Sequence, residues 1–465
     1  MDGEDVRTPP WGEFGRELRV WRRRAGLTQA QLGLRIGYHH SVISKLEGGL
    51  REPPMGLPAR LDVLLGSDGA LTALAEPGDR RRPRSGPSDP TLFPVLPAVE
   101  GTDALAPPGL PVWPRLLPYG GFTCPLHDDT QCPVPGPQEV LPLLARLDAG
   151  GVAALPDRPV PDLVHGLTAL LPGYTSVAIE QVSTAVVASI ERILHLLVRW
   201  AEVVDAAGRS PLAPLRLAAQ YAQLAARLRM QRGQRAVGMA WVTHGLRWAG
   251  AGADAVARAT LLSDFCTLTR LDRDAASSLA YARALGAVDR ERGWMTTLSH
   301  LYQARAYGLA GAVGECRRQV LLARRRLDRL DTRDAAEAPW LLGDAGVVRA
   351  ESSIGGALRD LAASTGDRAV ARRAVHATGR ALAHLPARMR PTYLLLTVRL
   401  ADAHACAGEP DAAVAVATPV AEEALRTGRA TIVHELHGLR ARLRQGWDDL
   451  PEVRELTDLL GPSAH

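Results

Sequence analysis

Two clusters of side chains in this chain have the types and spacing to do chemistry. The first is His40, Ser41, Ser44 and Lys45, four hydrogen-bonding residues within six positions. Grouped so closely, such side chains can read the donor and acceptor atoms of base edges, and an ammonium can donate to guanine O6 and N7. The second is CPLHDDTQC, in which Cys124, His127 and Cys132 are of the types that ligate zinc. Its spacing is irregular, it has no tight cysteine pair, and only Asp128 or Asp129 stands nearby as a fourth ligand. A cysteine-containing turn is the favoured reading of that segment, and no metal or other cofactor is expected. Signatures of catalysis are missing. There is no GxxxxGK phosphate loop, no GxSxG elbow, no CxxC pair and no dinucleotide fingerprint after a strand. The chain is therefore read as a non-enzyme.

The polar cluster must be held by the stretch Leu27 to Gly49, LTQAQLGLRIGYHHSVISKLEGG. Thr28 can act as an N-cap and Gln31 completes a capping box, which predicts a helix from Gln29 through Ile36. Gly37 then lets the chain turn sharply without a Cβ clash. A second helix over roughly His40 to Leu46 turns Val42, Ile43 and Leu46 toward Leu32 and Ile36. His40, Ser41, Ser44 and Lys45 are left outward, which is a helix-turn-helix with a polar face sized for a major groove. Ahead of it, Phe14, Leu18, Trp21 and Ala25 mark the buried face of a first helix. Arg16, Arg19, Arg22, Arg23 and Arg24 lie mostly off that face and form either a phosphate-facing patch or a solvated surface. After the break at Pro53 and Pro54, a short helix over Leu57 to Leu65 supplies Leu61, Leu64 and Leu65 to the core.

The order of LTQ, a short helix, Gly37, then ISKLEGG followed by Arg51, Glu52 and Pro53 resembles the XRE-type helix-turn-helix, the family of the lambda and 434 phage repressors. The resemblance covers about Glu13 to Leu65. It implies that Gln29 contacts a phosphate and that His40, Ser41, Ser44 and Lys45 stand where the family places its base readers. Tyr38 and His39 depart from the usual valine-serine pair ahead of the recognition helix.

At 465 residues, with 46% apolar and 23% charged residues, the chain has the composition of a globular protein of two or three domains. A net charge of +5 is only mildly basic, so affinity for nucleic acid has to come from a local patch. Lys45 is the only lysine among 55 basic residues, and the preference for Arg, Ala, Gly and Pro points to a GC-rich, actinobacterial kind of genome. No apolar run spans a membrane, MDGEDVRTPP has no signal-peptide pattern, and five scattered cysteines suit a reducing compartment. A cytoplasmic location is expected.

Fifteen of the 34 prolines fall between Pro77 and Pro137, which reads as a linker. It opens on the basic knot Arg80, Arg81, Arg82 and Arg84, either an extension of the DNA footprint or a solvated charge run. Its hydrophobic residues, among them Leu92, Phe93, Leu96, Trp113 and Phe122, are more than a spacer needs, so part of it is expected to lie across the C-terminal domain. Beyond Gln138 the pattern is almost wholly helical. Breaks at Arg232–Gln234, Asp272–Asp274, Gly311–Gly314, Gly366–Asp367 and Gly408–Asp411 recur about every 40 residues, near the period of two-helix repeats. These pairs resemble tetratricopeptide repeats.

The expected architecture is all-α: a helix-turn-helix domain over 1–76, a Pro-rich linker over 77–137 and an α-solenoid of TPR-like helix pairs over 138–465. Such an array curves and leaves a concave surface for a peptide, small ligand or partner protein. Tyr221, Trp241, Trp248, Trp294 and other aromatics either line that groove or pack the core. The chain is read as a sequence-specific, DNA-binding transcriptional regulator. Phosphate contacts would come from Gln29, Arg16, Arg23 and their neighbours, and a homodimer would sit on two half-sites of double-stranded DNA. In architecture this is similar to the repeat-containing, peptide-sensing regulators of Gram-positive bacteria. The alternative is a protein-interaction scaffold that its helix-turn-helix localises to DNA.

Overall fold

The computed structural model describes residues 11–36, 38, 40–54, 56–67, 69–75, 89–99, 113–127, 131–180 and 183–461. Gly37, His39, the Arg80–Arg84 knot, Asp128 and Asp129 lie outside the described residues. The chain divides into two compact units, Met1–Pro87 and Ser88–His465.

The first unit contains α1 (Gly12–Arg24), α2 (Gln29–Ile36), α3 (His40–Glu47), α4 (Leu57–Leu65) and α5 (Ala70–Ala75). The capping box forms as its residue types dictate: Gln31 N–H donates to Thr28 Oγ1 at 3.1 Å, and Thr28 N–H to Gln31 Oε1 at 2.9 Å. Phe14, Leu18, Leu32, Ile36, Ile43, Leu46, Leu57 and Leu61 close a common core. Helices α1 and α3 approach so closely that a Cβ on Gly15 would lie 2.4 Å from the Leu46 carbonyl oxygen. Helix α3 ends in a Schellman turn, with Leu50 N–H bonded to Lys45 O and Gly49 N–H to Leu46 O, both at 3.0 Å. Gly49 takes φ +68° there, which a residue with a side chain rarely adopts. Buried Asp62 accepts from the Leu71 and Thr72 backbone N–H groups at 2.9 Å and so fastens the start of α5 to α4.

The second unit begins with α6 (Pro137–Gly150), α7 (Pro161–Glu180) and α8 (Thr184–Ala206). Helical hairpins follow: α9 (Leu212–Gln231) with α10 (Arg235–Ala251), α11 (Ala255–Leu271) with α12 (Ala275–Val288), and α13 (Gly293–Leu309) with α14 (Val313–Leu327). After the short α15 (Thr332–Glu337) come α16 (Gly343–Thr365) with α17 (Arg368–Ala383), α18 (Arg390–Ala407) with α19 (Pro410–Arg426), and α20 (Ala430–Trp447) with α21 (Pro451–Leu459). The first helix of each hairpin also packs on the first helix of the next, the packing of a helical-repeat region. Local chemistry sets the breaks. Asp254, Asp274 and Asp367 cap α11, α12 and α17 through their side chains, while Gly366 and Gly408 close α16 and α18 in left-handed conformation. Among the described residues no helix is long and apolar enough to cross a membrane.

Much of the proline-rich segment belongs to this unit. Leu92, Phe93, Leu96, Trp113 and Phe122 pack against its largest core. Backbone carbonyls of the segment are taken up by that core: Trp248 Nε1–H donates to Leu92 O at 2.8 Å, and Arg216 Nη1 to Pro125 O at 3.0 Å. Proline keeps a long helix from forming there and leaves carbonyls such as those of Leu92 and Pro125 to accept from the helices. Two short antiparallel strands, β1 (Leu116–Leu117) and β2 (Cys132–Pro133), form the one sheet among the described residues.

Inside the array, first helices of five successive hairpins meet in a buried ionic core. Glu435 of α20 accepts from Arg359 of α16 and from Arg399 of α18, the latter at 2.9 Å, and lies 3.7 Å from Arg270 of α11. Asp402 bridges Arg359 at 3.1 Å and Arg442 at 2.8 Å, and Arg305 of α13 reaches Asp360 at 3.3 Å. Gly356 makes room for that guanidinium, since a Cβ there would lie 2.1 Å from Arg305 Nη1. These ion pairs are packed between the helices, so the contacts from hairpin to hairpin are partly ionic. The aromatic residues follow the same course: Tyr221, Trp241, Trp248 and Trp294 are fully buried core residues.

Candidate nucleic-acid interface

Helix α3 sorts its residues as its sequence demands. Val42, Ile43 and Leu46 are buried, and His40, Ser41, Ser44 and Lys45 are exposed. Positions i, i+1, i+4 and i+5 of a helix share one face, so these four side chains form a continuous polar strip. The strip ends two residues before Glu47, which is buried against α1 and α2.

Glu47 is 3% exposed and carries the mechanical link between α3 and the helices behind it. Its carboxylate takes both Arg22 Nε and Arg22 Nη2, the latter at 3.0 Å, together with Gln29 Nε2 at 2.9 Å and Arg19 Nε at 3.3 Å. Arg22 Nη1 donates in addition to Leu27 O at 2.7 Å, so α1, the turn after it, α2 and α3 share one hydrogen-bond cluster. Burial alone would raise the Glu47 carboxyl. The hydrogen bonds from Arg22 and Gln29, the Arg22 charge and the bond from Arg19 outweigh it and hold the group below its ordinary range.

These contacts place the phosphate-facing candidates. Arg16 and Arg23 are exposed on α1. Gln29 is half-buried, and its amide is engaged by Glu47 as described, so the residue at the head of α2 also positions α3. Arg22 is 8% exposed and turned inward, which separates it from the other helix-one arginines. The signal was present in the chain, because Arg22 stands four residues after Leu18 and eight after Phe14, on the buried face. Arg24 lies over the Trp21 ring at 5.0 Å. Between Trp11 and Ala75 there are nine basic and six acidic residues. Two of those acids, Glu47 and Asp62, are buried, so exposed charge on this unit is predominantly positive.

The chain therefore carries an N-terminal helix-turn-helix domain, a module with DNA-binding potential. Residues 13–75 match the family model described as a helix-turn-helix domain. No curated protein and no solved structure matches the chain.

The other sequence candidates fall in the second unit. Cys124 and Cys132 are buried and His127 is half-buried beside the β1–β2 pair. They are joined there by His165 of α7, which the spacing of the chain did not bring into view.

Proposed function

We propose that this protein is a sequence-specific DNA-binding transcriptional regulator of XRE type, cytoplasmic and from an actinobacterial kind of genome. The observation that carries the reading is the strip His40, Ser41, Ser44 and Lys45, exposed on a helix whose other face is clamped through buried Glu47. In this reading α3 enters the major groove and those four side chains choose the bases, while Gln29, Arg16 and Arg23 grip phosphates. The second unit is a TPR-like array that dimerises the protein and senses a peptide or small ligand, or recruits a protein partner. Such a partner would bind in a groove between hairpins of the array. One of about 450 Å³ between α14, α16 and α17 is lined by Leu321, Arg324, Glu351 and His376. That feature also favours the second reading, a protein-interaction scaffold localised to DNA.

Single substitutions separate the two kinds of contact. Lys45→Ala and Ser41→Ala each cost about 1–3 kcal/mol on a preferred duplex and little on others, because a base contact is lost. Arg16→Ala and Arg23→Ala weaken all sequences alike and lower the salt slope by about one phosphate each. Fluorescence anisotropy on matched and base-substituted duplexes reads both effects. Wild-type behaviour of all four variants would remove the recognition-helix assignment.

A further inference from the structure

The side chains of Cys124, His127, Cys132 and His165 converge, with one potential ligand atom from each lying within 4.8 Å of all the others. Three sit on the proline-rich segment, and the fourth comes from α7. His127 Nδ1 is 3.5 Å from Cys124 Sγ and 3.2 Å from Cys132 Sγ. Donor atoms around a tetrahedral zinc, bonded at about 2.0–2.3 Å, stand roughly 3.3–3.8 Å from one another, so these separations suit a shared ion.

His165 supplies an independent observation. It is 4% exposed, and its Nε2 is buried with no hydrogen-bond partner. A neutral imidazole can present its lone pair at Nε2, which is what a metal ion would take. An orphaned buried nitrogen costs stability unless something takes its lone pair.

The sulfur side carries one donor. Leu126 N–H points at Cys124 Sγ at 3.4 Å, although burial without a cation pushes that thiol up to about 12. A divalent cation at the site would reverse that balance and hold both sulfurs as thiolates. The pairing of Leu117 with Cys132 fixes one end of the loop, and Arg216 on the Pro125 carbonyl fixes the other. Two thiolates, two neutral imidazoles and a divalent cation sum to zero charge, which a buried site tolerates. A Cys124–Cys132 disulfide would use two of the four groups and leave His165 Nε2 without a partner.

We propose that Cys124, His127, Cys132 and His165 form a structural zinc site that staples the proline-rich segment to α7. With four protein ligands it has no open position for substrate, so it holds structure and does no chemistry. The inference is independent of whether the protein binds DNA.

Full-length protein purified without chelator is expected to contain one zinc per chain by elemental analysis. Chelator-stripped wild-type protein, given cobalt(II), is expected to develop tetrahedral visible bands and thiolate-to-cobalt charge-transfer absorption that zinc abolishes. In His165→Ala the bands should be lost or shifted to a five- or six-coordinate form, and in Cys132→Ser the charge-transfer band should fall by about half. Chelation should also speed protease cleavage between residues 113 and 136. Stripped wild-type protein that takes up no cobalt would overturn the proposal even if the variants misfold. So would a wild-type Cys124–Cys132 disulfide, or a cobalt spectrum unchanged by His165→Ala.

Discussion

Glu47→Ala is expected to destabilise the helix-turn-helix unit by about 3 kcal/mol or more and to abolish sequence-specific DNA binding with it. The substitution leaves the Arg22 guanidinium buried with the Leu27 carbonyl as its remaining partner, and breaking a buried pair from one side costs about 3–5 kcal/mol. It also releases Gln29 and Arg19, so α2 and α3 lose their common anchor. Hydrogen exchange resolved on peptides from 11–75 should show faster exchange there and unchanged protection in the second unit. Unaltered exchange in α1 and α3 would mean that the clamp is dispensable.

The same residue gives a pH dependence with a definite sign. Its folded-state carboxyl is held below the ordinary glutamate range, so the unfolded chain binds the proton more readily. The stabilisation is complete above the unfolded value and is lost as pH falls through the folded one. Thermal unfolding of this unit should therefore weaken on acidification, and Glu47→Gln should lack that part of the acid limb.

Glu435→Ala is the second large effect, an expected loss of about 3–5 kcal/mol from the helical array. Arg359, Arg399 and Arg270 converge on this carboxylate from three helices in a site that excludes water. Removing it leaves an excess of positive charge with no route to solvent. Arg442→Ala, at the better-solvated edge of the same network, should cost far less, about 1 kcal/mol. Denaturant unfolding of the full chain gives the comparison. A Glu435→Ala midpoint no lower than that of Arg442→Ala would contradict a network centred on Glu435.

What the chain revealed by itself depended on how local the physics was. Thr28 and Gln31 lie three residues apart, and the capping box they predicted is the one that forms, with α2 spanning Gln29–Ile36. Val42, Ile43 and Leu46 showed which way α3 turns, because periodicity within eight residues is enough. The ionic core was not legible. Arg270, Arg359 and Glu435 come from hairpins far apart in sequence, and in an arginine-rich chain they look like any solvated arginines. His165 escaped for the same reason, lying 33 residues beyond Cys132 in an apolar helix with no ligand spacing of its own. Composition did anticipate that hydrophobic residues of the proline-rich segment would lie on the helices, but not which: Leu92 and Trp113 pack there, while Val95 is 96% exposed.

The most direct measurement is selection of genomic DNA fragments by the full-length protein, run in parallel with Lys45→Ala and at two salt concentrations. A sharp, two-fold symmetric motif with half-sites about one helical turn apart is expected, degraded in the variant at the positions Lys45 reads. Diffuse, strongly salt-dependent recovery with no motif, identical for both proteins, would contradict it and leave backbone binding alone.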